Sequence, residues 1–174
     1  VPNSSGPVTK HFSDAVDFES APQLSVFDAS LKYKETATPC LVFAGKLFGN
    51  GSSRDWAAKG QMLLGVKAVI AESFERIHRS NLIGMGILPI EVTGKVLKDN
   101  GLDGSEEFSI EGLNDNIVPS QEVKILAKKK SGETTVITAK ILLQTPIEIE
   151  YYRHGGILQF TLRQLIRENS AQVV

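Results

Sequence analysis

Three apolar runs dominate the first half of the sequence: CLVFAG from Cys40, VKAVIAE from Val66 and ILPIEV from Ile87. The first two read as strands buried on both faces, because they lack the alternation of a strand with one wet face. Pro89 marks the third as an edge or irregular strand, since proline cannot donate to a ladder. Stretches with helical signals separate the runs. The alternation from residue 25 to residue 92 predicts parallel strands, because parallel neighbours require a crossover of the kind a helix supplies.

The intervening segments carry start and stop signals. Ser25 is placed to cap a helix through VFDASLKYKE, with Val26, Ala29, Leu31 and Tyr33 as its apolar face. Gly49, Asn50 and Gly51 make a turn, followed by a helix from Asp55 to about Leu64 that stops at Gly65. Ser73 is placed to cap SFERIHRSNLIGMG, with Phe74, Ile77 and Leu82 inward and Gly84 and Gly86 at its end. After Gly94 come short β-rich runs: EEFSIEGL, EVKILAKKK and ETTVITAKILL. Ser131 and Gly132 sit at the tip of a hairpin, and IEIEYYR reads as a further strand. His154, Gly155 and Gly156 form a tight entry to a last amphipathic helix, with Ile157, Phe160, Leu162, Leu165 and Ile166 on its apolar side. The first 22 residues read as an irregular lead-in. The whole predicts one α/β domain with a shared core, a mixed sheet and flanking helices.

Composition narrows the function. With 41% hydrophobic and 22% charged residues and a formal net charge of -1, the 174-residue chain advertises neither a nucleic-acid nor an acidic-surface partner. No apolar run is long enough to span a bilayer, and VPNSSGPVTKHF lacks the regions of a signal peptide, so a cytoplasmic protein without a membrane partner is expected. The absence of a starting Met suggests a processed or excised chain. The single cysteine, Cys40, makes no internal disulfide and holds neither a cluster nor a structural zinc by itself. It reads as a small buried hydrophobe. His11, His78 and His154 have no metal-ligand spacing.

One motif carries chemistry. GNGSSRDW lies at a strand–turn–helix junction, which delivers backbone N–H groups and a positive helix end to one spot. Two readings stand side by side. In the first, Ser52 or Ser53 caps the helix, Asp55 caps back and Arg54 is solvated. In the second, the turn is half of an anion-binding active site. Trp56 reads as packing for the turn. Arg76, His78 and Arg79 read as a solvated or domain-facing basic side of the second helix, and Lys128–Lys130 as protection of a sheet edge.

The run AGKLFGNGSSRDWAAKGQMLLGVKAVIAESFERIHRSNLIGMGILPIE, with YYRHGGIL near the end, closely resembles the C-terminal swivel domain of aconitase, in the aconitase A and iron-regulatory-protein branch. The resemblance covers roughly residues 8 to 168. It implies the swivelling β/β/α fold, with residues 1–22 as a lead-in to a domain whose beginning is truncated and residues 23–174 as the domain itself. It implies a hydro-lyase that interconverts citrate and isocitrate through cis-aconitate. Ser52 would be the catalytic base, Ser53 a substrate ligand and Arg54 a clamp on a substrate carboxylate, with Gly49, Gly51 and Asp55 supporting the turn. A 4Fe-4S cluster would be ligated outside this chain, by the remaining aconitase domains of the same polypeptide, so the isolated chain is expected to be inactive. Phe48 and Asn50 depart from the family's usual residues. Three alternatives accompany this reading: the same domain of a 2-methylcitrate dehydratase, a free small subunit like that of isopropylmalate dehydratase, and a module that binds messenger RNA in a cluster-free form.

Overall fold

The computed structural model describes residues 8–11 and 19–171. In chain order the elements are β1 (Val8–Lys10), β2 (Gln23–Ser25), α1 (Val26–Glu35), β3 (Cys40–Ala44), α2 (Arg54–Leu63), β4 (Val66–Ala71), α3 (Arg76–Gly84) and β5 (Leu88–Glu91). There follow α4 (Val96–Asp99), β6 (Glu107–Glu111), β7 (Glu122–Lys128), β8 (Thr134–Ile141), α5 (Pro146–Arg153) and α6 (Ile157–Ala171). A six-stranded sheet runs β3-β4-β5-β8-β7-β6. Its first three strands are parallel and its other pairings antiparallel. The protein is therefore α/β with a mixed sheet and flanking helices, as the apolar runs predict. Val8–Lys10, expected within an irregular lead-in, pairs with β2 as a small antiparallel ribbon.

Two packed layers follow from the period-2 geometry of the strands. Ala68 and Ile70 of β4 join Leu88, Ile90, Val123, Ile125 and Ile141 in the larger core. Val69, on the opposite face, joins Ala58, Leu82 and Ile87 under α2 and α3. The larger core draws on the parallel and the antiparallel strands alike, so the two halves of the sequence share one interior. β3 departs from expectation. It is the sheet edge, and all five of its residues are only half-buried.

The start signal at Ser25 works as read: its hydroxyl accepts from the Asp28 amide. α2 begins one residue before the expected Asp55. The β7–β8 hairpin turns at Gly132, whose φ of 90° suits glycine. IEIEYYR, however, is helical. Its alternation imitates a strand, but Thr145 caps it by accepting from the Glu148 amide, and Pro146 has the φ a first helical turn needs. The α5–α6 corner is tight: a Cβ on Gly86 would come within 2.6 Å of the Gly155 backbone. Leu158, Leu162, Leu165 and Ile166 of α6 are exposed, so its apolar side is largely uncovered, although Phe160 packs on Tyr151 and His154.

Pro89 is the other correction. It is interior, between β4 and β8, and fully buried. The Ile90–Ile141 register puts Pro89 opposite Leu142, where an antiparallel pair exchanges two hydrogen bonds. The Leu142 amide donates to the Pro89 carbonyl at 2.9 Å. Proline cannot return the bond. The Arg79 guanidinium replaces it, donating to the Leu142 carbonyl at 2.6 Å while pairing with both carboxylate oxygens of Glu148. Burial alone would raise the Glu148 carboxyl. The Arg79 bonds, the Gln144 amide and the Arg79 charge hold it below its ordinary value. Substituting Arg79→Met removes the donor to the Leu142 carbonyl and leaves the Glu148 carboxylate with main-chain amides but without its opposite charge. Urea unfolding of this variant should show a loss of about 3 kcal/mol; unaltered stability would show that the guanidinium is dispensable here.

Candidate active site

The site follows from the pairing of β3 with β4. Their parallel ladder ends at Ala44 opposite Ala71, so the loops that leave the two strands emerge side by side, at the carboxyl ends where open α/β sheets bind ligands. One loop carries GNGSSR, the other ESFE. Main-chain bonds join them: the Phe48 amide donates to the Ser73 carbonyl and the Glu75 amide to the Phe48 carbonyl, each at 2.9 Å. The Ser73 hydroxyl accepts from the Leu47 amide at 2.8 Å. Ser73 therefore stitches the loops together instead of capping α3.

Glu75 is the cap. Its Oε2 accepts from the amides of Ile77 and His78 at 2.8 and 2.9 Å, and its Oε1 pairs with Arg54 Nη1 at 3.1 Å. Arg54 Nε donates to the Gly51 carbonyl at 2.7 Å. The guanidinium, expected to be solvated if the turn were a plain cap, is held at two points.

Ser53 occupies the N-cap position of α2, but its side chain makes no capping bond. Ser52 and Ser53 are both exposed, and neither hydroxyl has a hydrogen-bond partner among the described residues. Asp55 is exposed in the first turn. The reciprocal cap that the S-x-x-D spacing suggests is thus absent, and the two hydroxyls stand at the positive end of a helix. Gly51 has open space on its Cβ side, whereas Gly49, at φ 87°, lies against the His78 ring with no room for a Cβ. Trp56 does not pack the turn. It is 74% exposed, with the Lys59 ammonium 5.4 Å above its ring.

The basic side expected on α3 divides three ways. Arg76 is exposed, Arg79 is committed to Glu148 and Leu142, and His78 is fully buried. Ile77, expected inward, is exposed. The His78 ring packs against Phe48 at 5.3 Å, and its Nδ1 lies 3.1 Å from the Arg54 carbonyl. A carbonyl only accepts, so Nδ1 carries the proton in that bond. Nε2 is buried without a partner among the described residues. Glu75 and His78 escape a reading of the sequence because serine is the favoured cap and a histidine between two arginines looks like surface. Their one signal is the strand pairing, which sets ESFE beside GNGSSR.

No group of three His, Cys, Asp or Glu side chains among the described residues is placed to hold a metal ion. Cys40 is half-buried in the edge strand, and burial raises its thiol. No helix of the described residues is long and apolar enough to cross a membrane.

The profile of the aconitase C-terminal domain family matches residues 8–95. The chain belongs to that family. Aconitate hydratase A of Corynebacterium jeikeium is 51% identical over 166 residues, covering 93% of this chain and 17% of that protein. Aconitate hydratase A of Rickettsia felis is 53% identical over 147 residues, 84% of this chain and 17% of that protein. The protein of the same name from Deinococcus radiodurans is 51% identical over 150 residues, 86% and 16% of the two chains. This aconitase domain therefore spans about a sixth of the length of the curated relatives it matches. Among solved structures, a 3-isopropylmalate dehydratase from Methanocaldococcus jannaschii matches with a TM-score of 0.48 and 28% identity, over 75% of this chain and 68% of that one.

The electrostatics yield a prediction for the cap. The bond from the His78 amide lowers the Glu75 carboxyl from its ordinary value of 4.5; burial opposes this, while the Arg54 charge and the Ile77 amide add to it. The folded state thus favours the carboxylate. Its contribution is present above the unfolded value and lost as pH falls through the lowered one. The protection of the Ile77 and His78 amides, taken relative to their intrinsic exchange rates, should hold at neutral pH and be lost only below the ordinary glutamate range. Loss of protection already above the ordinary glutamate value would contradict it.

Proposed function

We propose that this chain is the C-terminal domain of an aconitate hydratase, which interconverts citrate and isocitrate through cis-aconitate by removing and re-adding water. The observation that carries this reading is the pair of unengaged hydroxyls, Ser52 and Ser53, at an uncapped helix start beside an arginine held at two points. A tricarboxylate needs cationic forks, and Arg54 retains Nη2 for one carboxylate. Ser52 acts as the general base, taking a proton onto Oγ from the carbon beside a carboxylate. The positive end of α2 favours the alkoxide this requires. Ser53 binds substrate from the next position.

The residues present do not fit a cluster: Cys40 is the only cysteine in the sequence, and among the described residues no group of ligands surrounds it. An iron–sulfur cluster, of the 4Fe-4S type in this proposal, belongs to the rest of a longer polypeptide and supplies Lewis-acid chemistry there. The relatives' greater length supports this, as does the uncovered apolar side of α6, of a kind that marks interaction surfaces. We favour the enzymatic reading over messenger RNA binding. Within the basic run at the hairpin, Lys129 is engaged with Glu133 at 3.1 Å.

The test is kinetic, in the complete protein. Replacing Ser52→Ala should lower kcat by about 10²- to 10⁴-fold, the usual worth of a positioned base. Arg54→Gln should raise KM and lower kcat. Wild-type kinetics in either variant would remove that residue from the site.

A further inference from the structure

We propose that Glu75 is a positioning residue of this site: it fixes the Arg54 guanidinium for a substrate carboxylate, and it does so through the first turn of α3. The inference rests on the function proposed above and adds a residue to it.

The argument begins with the carboxylate. Its Oε2 is occupied by two amides of α3. These bonds fix its plane to a helix instead of leaving it on a free side chain. The remaining oxygen, Oε1, therefore faces Arg54 from a rigid support. Arginine has five N–H groups in a planar fork. Nε is committed to the Gly51 carbonyl and one Nη1 hydrogen to Glu75. Two anchors on different elements define the plane. Both Nη2 hydrogens and one on Nη1 remain without a partner among the described residues, which suits a bidentate carboxylate.

Position in the fold adds a second argument. Arg54 opens α2 and Glu75 caps α3. The pair thus spans the two loops that the β3–β4 ladder sets side by side. An arginine lacking this hold samples many rotamers and must lose that freedom when substrate arrives. Glu75 removes the freedom beforehand. It does not touch the substrate and exchanges no proton with it.

The experiment uses the complete enzyme, with cis-aconitate formation from isocitrate as the assay. Glu75→Gln keeps an oxygen for the Ile77 and His78 amides and removes the charge. KM should rise about tenfold, the worth of ordering one long side chain, with kcat within about twofold. In an Arg54→Gln background the same change should leave KM where Arg54→Gln alone puts it, because residues that act through one another are not additive. Glu75→Asp keeps the charge but withdraws it by one methylene, and should give a smaller KM rise. It also serves as the test if Glu75→Gln does not fold. Additive effects on KM, or no effect of Glu75→Gln where Arg54→Gln alone raises KM, overturn the positioning role and leave the proposed function standing. An Arg54→Gln enzyme with unchanged KM overturns the role assigned to Arg54, and this inference with it.

Discussion

The ladder between β3 and β4 is the constraint on which the site depends. Four consecutive pairs, Leu41–Ala68 to Ala44–Ala71, hold the two strands parallel and in step. A parallel pair sends both outgoing loops to the same end of the sheet, so the segments that follow Ala44 and Ala71, well apart in the chain, leave together. Shifting the register by one residue would exchange the faces of β4, carrying Val69 into one core and Ile70 into the other, and would also draw one loop past its partner. The burial of β4 on both faces resists that slip. A core far from the chemistry thus sets the spacing of the chemistry.

Much of this was legible in the sequence because apolar runs and capping residues are local signals. The three runs gave three parallel strands, and Ser25 gave a helix start. Errors arose where a distant partner decides. IEIEYYR alternates like a strand, yet Thr145 and Pro146 start a helix there and Ile149 finds the larger core. Pro89 looks like an edge residue because its deficit is visible locally, whereas Arg79, which offsets it, comes from another element. For the site, Ser52, Ser53 and Arg54 announce themselves through spacing and resemblance. Glu75 and His78 do not, since their roles exist only once the two loops are adjacent.

Arg79 also shows how a mixed sheet manages its change of direction. β5 has a parallel neighbour on one side and an antiparallel one on the other. At that seam a proline withholds a main-chain donor from Leu142. The side chain that substitutes for it is drawn from α3 and is itself paired with α5. Helix layer and sheet are thereby joined at a polar point inside an otherwise apolar interior. The helix so anchored is the one that carries Glu75 and His78.

The close fit of Gly49 against His78 has a consequence for motion. The imidazole fills the space a side chain would need and also reaches the Arg54 carbonyl. The turn, the start of α2 and the start of α3 are thereby joined by contacts on three sides. When such a unit shifts within a larger assembly, its hydroxyls and guanidinium travel as one piece. The entropy of bringing them to a reacting molecule is then that of placing a single rigid body, not of gathering three separate groups.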